Sequence, residues 1–103
     1  MLRHCVFVKF RPSVDRATRD AIYADLARLD RKVPGMLRLN AGANVNPEGL
    51  GQGFDEGFLI DFEGAAARDA YLVHPDHLAI GARIVAAAEG GVNGLFVFDF
   101  EIA

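Results

Sequence analysis

Four segments of this chain alternate their side chains with a period of two, and that alternation limits the fold to one built on a sheet. Residues 2–10 put His4, Val6, Val8 and Phe10 on one face and Cys5, Phe7 and Lys9 on the other. Both faces are largely apolar, so both need cover, and Pro12 and Ser13 end the segment. Residues 36–45 set Leu37, Leu39, Ala41, Ala43 and Val45 against Arg38, Asn40 and Asn44, with Gly42 marking a bulge or a close backbone approach. Residues 54–63 set Phe54, Phe58, Ile60 and Phe62 against Leu59 and Asp61. Residues 94–102 set Phe96, Phe98, Phe100 and Ile102 against Leu95, Val97 and Asp99.

Between these strands the period changes to that of a helix. In residues 14–33, Ile22, Leu26, Leu29 and Val33 recur at spacings of four, three and four, and Pro34-Gly35 stops the helix. The charged remainder of that helix reads as a solvated face, with Asp15–Arg19 as a minor pair. Residues 46–53 are rich in turn formers and read as a loop. Residues 65–73 and 75–88 read as two helices joined at His74-Pro75, and Gly90-Gly91 ends the helical region.

The order βαββαβ with four strands predicts an α+β, ferredoxin-like protomer with a four-stranded antiparallel sheet. Residues 1–103 form a single domain, since a chain of this length supports one core. Helices cover one sheet face. The other is expected to carry Cys5, Phe7, Leu37, Leu39, Leu59, Leu95 and Val97, an apolar patch that a soluble monomer rarely leaves exposed. A homodimer packed sheet on sheet is the simplest cover.

A net charge of −3 without a basic patch argues against nucleic acid and against an anionic membrane as partners. No apolar run is long enough to span a bilayer. The N-terminus lacks a secretory pattern, because Arg3, His4 and Lys9 interrupt it. The single cysteine, Cys5, allows no internal disulfide and fits a cytoplasmic location.

Tyr71-Leu-Val-His74-Pro-Asp-His77 carries the chemistry. Proline pushes His74 out of the α region and suits the first position of the next helix. His77 is then at the third position of that helix, among amides without intrahelical acceptors. The positive helix end keeps an imidazole neutral and able to accept a proton, while Asp76 opposes this. His74 reads as structural. His74 and His77 make a poor metal pair, because the proline break separates them and no third ligand is near. No glycine-rich phosphate loop follows a strand, so nucleotide binding lacks support.

These residues resemble the Dabb family of stress-responsive A/B barrels along the whole chain. The likeness runs through His4-Cys-Val-Phe-Val-Lys-Phe, Val33-Pro34-Gly35, Gly42-Ala-Asn44-Val-Asn-Pro47-Glu48 and Gly57-Phe-Leu-Ile-Asp-Phe62. It continues in Ala70-Tyr71-Leu-Val-His74-Pro75-Asp-His77 and Val97-Phe-Asp99-Phe. The resemblance implies a dimeric α/β barrel with helices outside. One plant branch of the family contains a cofactor-independent polyketide cyclase. Its working tyrosine and histidine fall at Tyr71 and His77, and a cavity histidine falls at His4. Glu56 stands where that branch has a histidine and Leu26 where it has a tyrosine, which argues against the same substrate.

The expected site therefore has His77 as base and Tyr71 as hydrogen-bond donor. His4, Glu56, Phe58 and Ile60 would contact substrate, and Phe62, Phe96 and Phe98 would complete an apolar wall. The expected function is cofactor-independent acid–base chemistry of cyclase, isomerase or lyase type on a small hydrophobic carbonyl compound. The alternative is a non-catalytic dimer that binds a small molecule or serves a stress-related structural role. There Tyr71 is core, His77 caps local backbone, His4 is a satisfied half-buried histidine and Glu56 is a solvated strand-end charge.

Overall fold

A computed structural model describes residues 1–103. The elements are β1 (Leu2–Val8), α1 (Arg16–Ala27), β2 (Met36–Ala43), β3 (Glu56–Phe62), α2 (Ala65–Val73), α3 (Pro75–Ala87) and β4 (Leu95–Glu101). The strands form one antiparallel sheet in the order β2-β3-β1-β4, the ferredoxin-like arrangement. No helix is long and apolar enough to cross a membrane.

Local chemistry sets the helix limits. The Asp15 carboxylate caps α1 by accepting from the Thr18 amide at 2.8 Å. The helix buries Ile22, Tyr23 and Leu26, then tightens into a 3₁₀ turn over Arg28–Arg31 that buries Leu29. Asp15 is thus a cap, and the ion pair on this helix joins Arg16 to Asp20. His74 serves two helices. Its extended ψ of 133° ends α2, and its Nδ1 accepts from the Asp76 amide at 3.1 Å to cap α3, with Pro75 in the first turn.

The helices cover one face of the sheet. Val6, Val8, Phe58, Ile60 and Phe62 meet Ile22, Leu26, Tyr71, Ile80 and Ile84 in a single core. The register corrects the expected faces of β4. Directly paired residues of antiparallel strands project to the same side. His4 pairs with Asp99, Val6 with Val97 and Val8 with Leu95, so Asp99, Val97 and Leu95 share the helix side. Cys5 pairs with Phe98 and Phe7 with Phe96, so the phenylalanines of β4 lie on the open side. Both faces of β4 are apolar, so alternation in this strand gave no sign of which face was inward.

Two smaller corrections follow from the same register. Leu39 pairs with Ile60 and packs on the helix-side core rather than the open face. The irregularity in β2 falls between Met36 and Arg38, and a Cβ on Gly42 would meet nothing. The strand glycine under close constraint is Gly57, where a Cβ would sit 2.6 Å from the Val6 carbonyl oxygen.

Candidate active site

Three elements bring His4, Tyr71 and His77 together. The ring centroids of Tyr71 and His77 are 4.2 Å apart, and those of Tyr71 and His4 are 5.9 Å apart. Phe62 packs on both Tyr71, at 5.2 Å, and His4, at 6.4 Å. Phe62 therefore forms the aromatic wall here. Ile60 is fully buried beside His4 in register, whereas Phe58 is two pairs further along and its ring centroid lies 5.9 Å from that of Tyr23. Phe96 and Phe98 lie across the sheet and contribute nothing to this side.

Each of the three polar residues presents one unpartnered atom. His77 Nδ1 lies 3.1 Å from the Leu72 carbonyl oxygen. A carbonyl can only accept, so Nδ1 carries the proton and Nε2 keeps its lone pair in the neutral ring. Burial pushes the His77 imidazole below its ordinary pKa against the Leu72 hydrogen bond, and His4 and His74 lower it further. Burial alone pushes the Tyr71 phenol well above its ordinary value, and no hydrogen bond contributes. Tyr71 is 1% exposed, yet no fully enclosed side-chain N or O in the protein lacks a partner, so its free hydroxyl must touch accessible space. The same reasoning applies to His4 Nε2, in a residue 5% exposed.

His4 Nδ1 is held by Asp99 Oδ1 at 2.7 Å, and Asp99 Oδ2 accepts from Arg68 Nη1 at 2.7 Å. Neither partner was expected from sequence: alternation grouped Asp99 with Leu95 and Val97, which were expected on the open face, and the β1–β4 register turns that group to the helix side. Arg68 lies three residues before Tyr71 on α2, a spacing that places both on one side of that helix.

Glu56 is elsewhere. It pairs with Val8, four residues along β1 from His4, which is about 13 Å of strand. Its carboxylate is 6% exposed and accepts from Tyr23 Oη at 2.6 Å, Arg19 Nη1 at 2.7 Å and Arg16 Nη2 at 3.0 Å. Burial opposes its ionisation, but the hydrogen bonds from Arg16, Tyr23 and Arg19 outweigh burial and hold the carboxyl below its ordinary range. Arg16 and Arg19, read from sequence as part of a solvated face, tie α1 to β3 through this carboxylate.

A groove of about 570 Å³ lies at the loop end of the open sheet face, lined by Phe7, Leu50, Phe54, Leu59 and Phe96 among others. It contains no acid–base pair, since the carboxylate of Glu56 is engaged on the helix side.

The sheet order and the helix break at His74 define a ferredoxin-like α+β domain in which the rings of His4 and His77 both pack on the buried Tyr71. Residues 2–102 match the stress-responsive A/B barrel domain, Dabb, and the chain belongs to that family. A dimeric ferredoxin-like protein of unknown function from Jannaschia sp. CCS1 is 32% identical, with a TM-score of 0.90 over 98% of both chains. The hydroxynitrile lyase of Passiflora edulis is similar in fold, with a TM-score of 0.84 at 23% identity over 99% of this chain and 93% of the lyase. Olivetolic acid cyclase of Cannabis sativa is 21% identical over 80 residues, covering 78% of this chain and 79% of the cyclase.

Proposed function

We propose that this protein is a cofactor-independent acid–base enzyme of cyclase, isomerase or lyase type acting on a small hydrophobic carbonyl compound. The observation that carries the reading is that Tyr71 touches both imidazoles and that Tyr71 Oη, His77 Nε2 and His4 Nε2 are each left without a protein partner. His77 Nε2 would remove a proton alpha to the carbonyl. The Tyr71 hydroxyl, kept protonated by burial, would donate to the oxygen as the enolate forms. Phe62 and Ile60 supply apolar surroundings in which such a hydrogen bond strengthens. A cyclase and a lyase among the family's similar proteins are compatible with this class.

The test is a turnover screen of small aromatic, lactone and β-keto compounds with wild type, His77→Ala and Tyr71→Phe. Turnover lost in both variants, with folding intact, supports the reading. Turnover unchanged by either removes that residue from the mechanism. A non-catalytic binding dimer is the second reading, favoured by how closely Tyr71 and His77 pack. It predicts ligand-induced thermal stabilisation without turnover.

The same reading takes the working form as a homodimer joined through the open sheet face. Phe96, Phe98 and Phe100 there are 50%, 55% and 43% exposed in the protomer. At ~25 cal/mol per Å², covering a few hundred Å² of such surface contributes several kcal/mol before the entropy of association. The related Jannaschia protein is dimeric.

A further inference from the structure

We infer that Arg68 and Asp99 are positioning residues that fix His4 as a second acid–base group of the site, with its Nε2 preset to accept a proton. The catalytic part of this inference rests on the function proposed above. The orientation of His4 does not.

The argument begins with what each group can do. A carboxylate only accepts hydrogen bonds, so the 2.7 Å contact from His4 Nδ1 to Asp99 Oδ1 requires the proton on Nδ1. Nε2 is then a lone pair in the neutral ring and an N–H in the imidazolium. Asp99 does not rotate freely, because its second oxygen is held by Arg68 Nη1 at 2.7 Å. Arg68 is in turn anchored by Asp69 through its Nε, so the guanidinium bridges two carboxylates and leaves one oxygen for His4. The three residues lie on β1, β4 and α2, and they join the sheet to the helix that carries Tyr71. The pairing of His4 with Asp99 in the β1–β4 register puts the two side chains on one face as direct neighbours.

The groups facing His4 are Asp99 from β4, Tyr71 and Arg68 from α2 and His77 from α3. A proton taken by His4 Nε2 would give an imidazolium balanced by Asp99, while the Nδ1 proton stays in place. The Leu72 carbonyl sets His77 in the same tautomer, so both imidazoles offer Nε2.

The test needs no substrate. Long-range ¹H–¹⁵N NMR of the neutral histidine rings reports the tautomer of His4 and, as an internal reference, of His77. The expected result is the Nδ1–H tautomer at His4 in wild type. In Asp99→Ala, His4 reverts to the tautomer mixture of free imidazole while His77 is unchanged. In Arg68→Met, Asp99 loses the partner of its second oxygen, and the Nδ1–H fraction at His4 falls. A residue that merely packs would leave the tautomer as it is. An Nε2–H tautomer at His4 in wild type would overturn the inference, as would variants that leave the tautomer unchanged. If Asp99→Ala does not fold, the wild-type tautomer and Arg68→Met decide the matter. Failure here leaves the roles of His77 and Tyr71 standing. Unchanged turnover in their own variants, with His4 as described, would remove the proposed function alone.

Discussion

Tyr71 and His77 are on different helices, separated by the break at His74, and their rings meet with centroids 4.2 Å apart. The Tyr71 hydroxyl has no protein partner, so its two substitutions should separate packing from chemistry. Tyr71→Phe is expected to change stability by less than about 1 kcal/mol. Tyr71→Ala should cost about 3–5 kcal/mol through the cavity it leaves in the core. Chemical denaturation measures both. On a substrate found by screening, Tyr71→Phe and His77→Ala should each lower kcat by roughly 10²-fold or more.

His77 gives a pH dependence of known sign. Its imidazole is depressed in the fold by burial, so the unfolded chain binds the proton more readily. Stability should therefore be level above the unfolded histidine value of ~6.5 and fall as pH drops below it. The acid limb of kcat/KM should likewise lie below the ordinary histidine range, since the base stays neutral there. Equilibrium unfolding with and without His77→Gln reads the first effect. A wild-type acid limb above pH ~7 would contradict the second.

Glu56 predicts a stability effect without a catalytic one. Glu56→Ala leaves Arg16 and Arg19 without their carboxylate and Tyr23 without its acceptor, and should cost about 3 kcal/mol. Part of this is screened, because Arg16 is largely exposed. The folded carboxyl is held below its unfolded value, so this contribution is present above the ordinary glutamate range and lost as pH falls through the folded value. His77 NMR resonances should not move in the variant, given the distance along the sheet.

The open face predicts self-association. Light scattering at micromolar concentration should give twice the protomer mass. Phe98→Glu, which places a charge on that face away from the core, should yield a folded monomer or an unstable chain. A wild type that remains monomeric would sink the homodimer.

Gly57 tests the register. An added Cβ meets the Val6 carbonyl oxygen and Phe7, so Gly57→Ala should destabilise by about 1–3 kcal/mol, whereas Gly42→Ala meets nothing in the protomer. Thermal unfolding of the two variants side by side compares them directly.

Much of the architecture was legible because it depends on local periodicity. Alternation marked four strands, the Ile22–Leu26–Leu29 stripe marked α1, and His74-Pro75 marked a break that needs only the steric rule for residues before proline. The sequence also singled out Tyr71 and His77, because a phenol and two imidazoles fall within seven residues at a helix break, and His4 through the resemblance to the Dabb family. Their meeting was not local. His4 and Asp99 are at opposite ends of the chain, and only the pairing of β1 with β4 puts them side by side. Which face of β4 turns inward depended on that pairing, since Phe and Val alternate there with no polar side to mark the outside. Glu56 was likewise legible as a carboxylate, but its isolation from the site was decided by Arg16, Arg19 and Tyr23 on a helix 33 to 40 residues earlier. Periodicity, caps and breakers are written in neighbouring residues and survive as sequence. Register, burial and the partners of a charge arise from contacts between distant segments, and these exist only once the chain has folded.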